Sequence, residues 1–287
     1  MRIGYYPGCS LLGSSREFDE STRAVMKALA VDLVEVPDWS CCGASSAHVL
    51  SHELSLALPA RILALAEGAG ITELLVPCAA CSNRLLSTQQ ELQQHPERIA
   101  AIEAAIGLPY GGTVKVVNIL EVLLRLKDSI TQQLKSPFTR RVASYYGCLL
   151  VRPPRVVAFD RPEDPRSMDL LVQAAGGSAV EWPFKTECCG AAFSVTRTDI
   201  VARLGGKLVQ DAVKRGAEAI VVACPMCHSN LDLRRPEINQ YLGQEHGIPV
   251  LFITQVIGLA LGLSPEALGL QRHLVPVAYK HAAGAPV

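Results

Sequence analysis

The chain has 287 residues, 49% of them apolar and 19% charged, and its 27 basic and 27 acidic side chains cancel. That length suits about two domains, each with its own core, and that composition excludes a disordered polymer. Balanced charge, with no basic stripe carrying interleaved aromatics, excludes a general attraction to nucleic acid or to an anionic membrane.

In chain order, the opening "MRIGYYPGCS" has no apolar run after Arg2 and is not a signal peptide. "RIGYYPG" (2–8), "LVEVP" (33–37) and "ELLVP" (73–77) are short β-branched or aromatic runs ending at Pro or Gly, and read as buried strands. Helical patterns lie between them, over 15–30 with a Ser start, over 51–68 stopped at Gly68, and over 82–94. Residues 127–140, in "KDSITQQLKSPFTRR", are polar and separate a first domain (1–130) from a second (140–287). The second half offers strands at "RVASYYG" (141–147), "SAVEWP" (178–183), "AIVVAC" (219–224) and "PVLFIT" (249–254). The apolar stretch "VLFITQVIGLALGL" (250–263) spans 14 residues, short of the roughly 20 of a spanning helix. The expectation is a cytoplasmic protein with no transmembrane segment, alone or in a peripheral membrane-associated complex. The final "HAAGAPV" reads as a loose tail. Strand and helix in alternation give an α/β fold of two similar halves, each a small parallel sheet flanked by helices.

The halves repeat. "YYPGCSLL" (5–12) pairs with "YYGCLLV" (145–151), and "VEVPDWSCCGASS" (34–46) with "VEWPFKTECCGAAFS" (180–194). "LLVPCAACSNRL" (74–85) pairs with "IVVACPMCHSNL" (220–231), and "VKVVNILEVLLRL" (114–126) with "IPVLFITQVIGLAL" (248–261). Self-similarity of this kind marks internal duplication. All ten cysteines fall in register: Cys9, Cys41, Cys42, Cys78 and Cys81, then Cys148, Cys188, Cys189, Cys224 and Cys227. Small buried cysteines scattered through a core would show no such register. An unexported chain keeps its thiols reduced, so metal or redox chemistry is the better reading than disulfides.

Each cysteine group follows the carboxyl end of a strand, where open α/β sheets place their sites. The helix after each CxxC adds N–H groups and a positive dipole end, which favour thiolate. Adjacent side chains on a regular strand point to opposite faces, so the doublets need a sharp turn, and Gly43 and Gly190 supply its permissive backbone. Five thiolates overfill a tetrahedral zinc, although zinc on four of the five stays open for one repeat. The compact ferredoxin run is absent, and five converging thiolates suit a larger or irregular iron–sulfur assembly. "CPMCH" (224–228) mimics a haem c attachment site, and "CPMC" a thioredoxin dithiol. Export is missing for the first, and the second would idle eight cysteines. His228 then reads as a turn or capping residue, while His48, six residues after Cys42, either lines the pocket or faces solvent. No nucleotide-binding glycine motif follows a strand.

The order CX31CCX35CXXC, then CX39CCX34CXXC, resembles the cysteine-rich CCG domain used twice. "YYPGCSL" and "DWSCCGASSAH" resemble the B subunit of heterodisulfide reductase in particular, and the likeness covers about residues 1–262. The resemblance implies one noncubane [4Fe-4S] cluster per half, built as two smaller units fused at a shared iron. Cys9, Cys41, Cys42, Cys78 and Cys81 would hold one, and Cys148, Cys188, Cys189, Cys224 and Cys227 the other. The doublet thiolates would then serve different irons.

In that family a disulfide binds between the two clusters and is split by one electron from each, and in a sulfur-oxidising complex it is formed. The resemblance therefore implies an oxidoreductase acting on sulfur groups, with a small disulfide or thiol as substrate. It also implies a ferredoxin-type iron–sulfur subunit and a flavin subunit as partners, since this chain shows neither motif. The alternative is a non-catalytic electron-transfer subunit of a glycolate or lactate oxidase- or succinate dehydrogenase-type complex.

Overall fold

A computed structural model describes residues 1–44 and 46–278, and within them every predicted strand forms. The first half holds β1 (Arg2–Tyr5), β2 (Asp32–Glu35), β3 (Glu73–Leu75) and β4 (Lys115–Val117). The second holds β5 (Arg141–Tyr145), β6 (Ser178–Ala179), β7 (Ala219–Val222) and β8 (Val250–Phe252). The sheets have the orders β2-β1-β3-β4 and β6-β5-β7-β8, and every pairing is parallel. Strands covered on both faces carry unbroken apolar runs, and all residues of β7 and β8 are buried. The segment predicted to be loose, "HAAGAPV", lies outside the described residues.

The order places a switch at each central strand. From β1 the chain steps to β2 on one side, then crosses back to β3 on the other. The loops after β1, β2 and β3 therefore leave toward the same sheet end and open a crevice between them. Those loops, with the first turns of the helices they open, carry Cys9, Cys41 with Cys42, and Cys78 with Cys81. The second sheet repeats the arrangement around β5.

The helices over Arg16–Ala28 and His52–Gly68 form where their patterns lie, the second with Ser51 Oγ accepting from the Leu54 N–H. Three bounds differ from the sequence reading. The helix after the first CxxC starts at Ala79 rather than 82, because Cys78 itself is the N-cap residue. A short helix, Gly8–Leu12, carries Cys9. The polar connection contains a helix over Lys127–Gln132, with Ile130 buried on one side.

The two halves share one interior. The helix Ile253–Ala260, from the apolar stretch at 250–263, is buried at every residue and packs on the Arg16–Ala28 helix of the first half. Phe18 stacks on Phe252 with ring centres 4.1 Å apart, and the Ser21 and Thr254 hydroxyls pair at 2.7 Å. Arg272 joins Glu20 across the same seam. This surface is core within the chain, which settles where the apolar stretch goes.

Candidate functional site

Each half gathers its five predicted cysteines at one sheet end, and all ten are free thiols. In the first half the sulfurs of Cys9 and Cys41 lie 3.8 Å apart, and those of Cys42 and Cys81 lie 3.1 Å apart. Cys9 and Cys41 are exposed, while Cys42, Cys78 and Cys81 are buried. The doublet thus spans two levels, one sulfur at the mouth and one at the floor. The second half repeats this: Cys188 is exposed, Cys148 half-buried, and Cys189, Cys224 and Cys227 are buried. There the Cys189 and Cys227 sulfurs are 3.8 Å apart.

The turn that aims the doublets is the one the glycines were expected to permit. Gly43 and Gly190 have φ of 72° and 77°, the left-handed region. Their N–H groups donate back to the sulfurs of Cys41 (3.4 Å) and Cys188 (3.3 Å). A second glycine pair was not singled out from the sequence. Gly8 and Gly147 immediately precede the lone cysteines, with φ of 67° and 66°. A Cβ on Gly8 would stand 3.1 Å from the Cys81 sulfur, and one on Gly147 would stand 2.7 Å from the Cys227 sulfur. Glycine at these places is what lets the first loop pass over the CxxC.

A tyrosine pair was also missed. Tyr6 and Tyr145 each lie three residues before the lone cysteine. The Tyr6 hydroxyl donates to the Ser40 carbonyl (2.8 Å) and the Tyr145 hydroxyl to the Glu187 carbonyl (2.7 Å). Both acceptors immediately precede a doublet, so each tyrosine ties the lone-cysteine loop to the doublet loop. Matching the "YY" pairs by eye aligns Tyr5 with Tyr145 and hides this. Counting back from the cysteine reveals it. Burial first, and then the nearby thiols, push both hydroxyls far above the phenol range, so they remain donors.

The thiols share protons unequally. Hydrogen bonds from Cys41 and then Cys81 pull Cys42 down to about 3, while Cys41 and Cys81 are raised in return. In the second half Cys148 pulls Cys188 down to about 6, and Cys227 pulls Cys224 down to about 7. Cys148 and Cys227 rise. Each pocket therefore holds thiolate at neutral pH, the form that binds metal. Cys78 and Cys224 cap helices, which adds a positive dipole end to each pocket floor.

The two pockets adjoin. The Ala79 N–H of the first half helps to hold the Cys224 thiol of the second below its usual range. Asn83 donates to the carbonyls of Leu149 (3.2 Å) and Arg152 (2.8 Å), just past Cys148. The residue matching Ala79 in the second half is Pro225, which has no N–H to offer Cys78.

The two histidines separate clearly. His48 is exposed on the short helix Ala47–Leu50. His228, read from the sequence as a turn or capping residue, is instead 1% exposed within the helix Pro225–Leu231 and stacks on Phe252. The CxxC sits in the first turn of that helix, so the next residue faces the interior behind the pocket. Among the described residues no helix is long and apolar enough to cross a membrane.

Comparison with known proteins agrees with this geometry. The model of the CCG cysteine-rich domain matches residues 3–85 and 142–232, one match per half. The B subunit of a ferredoxin/F420H2-dependent CoB–CoM heterodisulfide reductase from Methanosarcina acetivorans is 32% identical, over 96% of this chain and 94% of its own. A protein named as the membrane anchor subunit of an 8-methylmenaquinol:fumarate reductase from Wolinella succinogenes is 30% identical, over 95% of this chain and 96% of its own. A crystal structure of a hypothetical protein from Helicobacter pylori shares the fold at a TM-score of 0.76 and 15% identity. It covers 97% of this chain, which spans 53% of that longer one. With two CCG repeats, ten cysteines in register and heterodisulfide reductase relatives along almost its full length, the chain belongs to the cysteine-rich CCG family of heterodisulfide reductase B-type subunits.

Proposed function

We propose that the chain is the catalytic iron–sulfur subunit of a heterodisulfide reductase-like complex, with one noncubane [4Fe-4S] cluster in each pocket. The observation that carries this reading is the pairing of two five-cysteine pockets that meet where Asn83 of the first half donates to the Leu149 and Arg152 carbonyls of the second, just past Cys148. A disulfide takes two electrons, and two one-electron centres side by side supply them together. The donor set fits such groups. Ten free thiols, several already held as thiolate, stand in two rows of touching sulfurs, and each row exceeds the four ligands of a single zinc.

The chain's own residues do the positioning. Tyr6 and Tyr145 hold the mouth cysteines against the doublets, and Gly8 and Gly147 let the loops approach the CxxC sulfurs. The exposed Cys9, Cys41 and Cys188 mark the side from which a small disulfide or thiol reaches the pockets. The electron donors are a ferredoxin-type iron–sulfur subunit and a flavin subunit. In a sulfur-oxidising complex the same site forms the disulfide.

The test is thiol release. Protein prepared without oxygen and reduced with a low-potential viologen is offered the CoB–CoM heterodisulfide and a panel of simple disulfides. Stoichiometric thiol release, lost in both Cys41→Ala and Cys188→Ala, supports the reading. Clusters that reduce and reoxidise with no thiol from any disulfide overturn it. That result would favour the second reading, a non-catalytic electron-transfer subunit of a succinate dehydrogenase-type complex. The fumarate reductase relative is the observation behind that alternative.

A further inference from the structure

Beside the second pocket stands a polar side chain that the cysteines do not account for. Asn230 is fully buried in the Pro225–Leu231 helix, three residues after Cys227 and so on the same face. Its Nδ2 donates to the Cys189 carbonyl at 3.0 Å, and the same nitrogen lies 3.8 Å from the Cys189 sulfur. The carbonyl fixes which end of the amide faces the doublet, because an amide oxygen there would oppose it. An amide nitrogen carries two hydrogens, so one serves the carbonyl while the other points at the sulfur. At the far end of the amide, Asn230 Oδ1 is buried and accepts no hydrogen bond among the described residues. A buried acceptor without a partner is destabilising, and a leucine of similar size would avoid that cost. What the side chain contributes lies at its other end, against Cys189.

The first half lacks this donor. Three residues after Cys81 stands Arg84, whose guanidinium donates to the Ser55 carbonyl at 2.9 Å instead. The backbone donors to the doublets do match. The Gly43 and Gly190 N–H groups stand 3.4 and 3.3 Å from the sulfurs of Cys41 and Cys188. The duplication thus keeps a backbone donor in both halves and sets a side-chain donor at the buried doublet cysteine of one.

We infer, on the iron–sulfur reading of the pockets, that Asn230 is a positioning residue that tunes the second half: through the Cys189 sulfur it raises the reduction potential of the cluster there. Uptake of one electron adds negative charge to a thiolate-bound group. An N–H aimed at a ligand sulfur stabilises the more negative state and so favours reduction. Burial strengthens the effect, since bulk water does not screen the amide dipole. The two halves, alike in their ligands, are in this way tuned unequally, and the second takes up an electron more readily than its cysteines alone would dictate.

The test is a potentiometric titration of the full chain, purified without oxygen and followed by electron paramagnetic resonance. The signal of the second half is the one that Cys188→Ala removes and Cys41→Ala keeps. Asn230→Leu should shift its one-electron equilibrium about 3- to 10-fold against reduction, a fall of about 28–59 mV at 59 mV per tenfold. The midpoint of the first half and the iron count should not change. Should Asn230→Leu fail to fold, Asn230→Ala, which only shortens the side chain, is read the same way. An unmoved midpoint overturns the tuning role alone. Loss of the second cluster from both variants does so too, since the side chain would then merely hold the doublet loop. A chain in which no iron–sulfur signal answers to Cys188→Ala overturns the iron–sulfur reading of that half, and this role with it.

Discussion

Gly8 and Gly147 offer a controlled experiment within one molecule. Their φ values, 67° and 66°, are nearly identical, so alanine at either place carries the same left-handed strain, about 1–2 kcal/mol. What differs is the sulfur ahead of the new methyl: 3.1 Å away at Gly8 but 2.7 Å at Gly147. An ordinary carbon–sulfur contact is near 3.7 Å, so Cys227 must yield by about 1 Å and Cys81 by about half that. A free thiol yields by rotating. A sulfur bound to iron cannot, since its bond length is fixed to about 0.2 Å.

Gly8→Ala and Gly147→Ala should therefore lower the stability of metal-free chain about equally, while Gly147→Ala loses clearly more of the iron of its half than Gly8→Ala does. The assays are denaturant unfolding of the stripped chain, then iron, sulfide and electron paramagnetic resonance of the loaded chain. Equal iron retention in both variants would refute the claim that Cys227 is held by a cluster at this position.

Other outcomes are equally open to measurement. Tyr145→Phe removes the donor to the Glu187 carbonyl and should cost about 0.5–1.5 kcal/mol, with faster loss of the second cluster than of the first under chelator. Lys185, 4% exposed and 2.7 Å from Asp169, also fixes through its carbonyl the Tyr146 and Gly147 N–H groups. Lys185→Ala leaves Asp169 a buried, unpaired charge, so a loss of about 3–5 kcal/mol in denaturant unfolding is expected. Burial pushes His273 down to about 4, and His228 is depressed for the same reason. The unfolded chain then binds the protons more readily. This stability is fully present above about pH 6.5 and is lost as pH falls toward 4, at up to about 1.4 kcal/mol per unit for each histidine. Unfolding midpoints between pH 7.5 and 4.5 should drop with that slope, and less steeply in His273→Gln. An unchanged slope would deny His273 its buried, neutral state.

Strands and cysteines were legible because each obeys a local rule. Runs such as "AIVVAC" admit one reading when both faces are covered, and the duplication doubled every signal. Gly43 and Gly190 were legible because a doublet cannot turn without them. Tyr6 and Tyr145 were hidden because their partners, the carbonyls of Ser40 and Glu187, carry no side-chain signature. His228 was misplaced for a similar reason. Its neighbours, Glu17 and His273, lie 211 residues before it and 45 after it, and only the packing of the Arg16–Ala28 helix on the second half unites them. Local pattern reaches the elements and the ligand types, whereas contacts between the halves arise from tertiary packing.

The central claim is that both halves hold an iron–sulfur cluster on their five cysteines. It is tested most directly by counting iron, acid-labile sulfide and zinc per chain in protein purified without oxygen. Two clusters predict about eight irons with matching sulfide, and Cys41→Ala should halve both while leaving the second half loaded. Zinc on the cysteines with little iron, or four irons with zinc bound through sulfur in the other half, would contradict it.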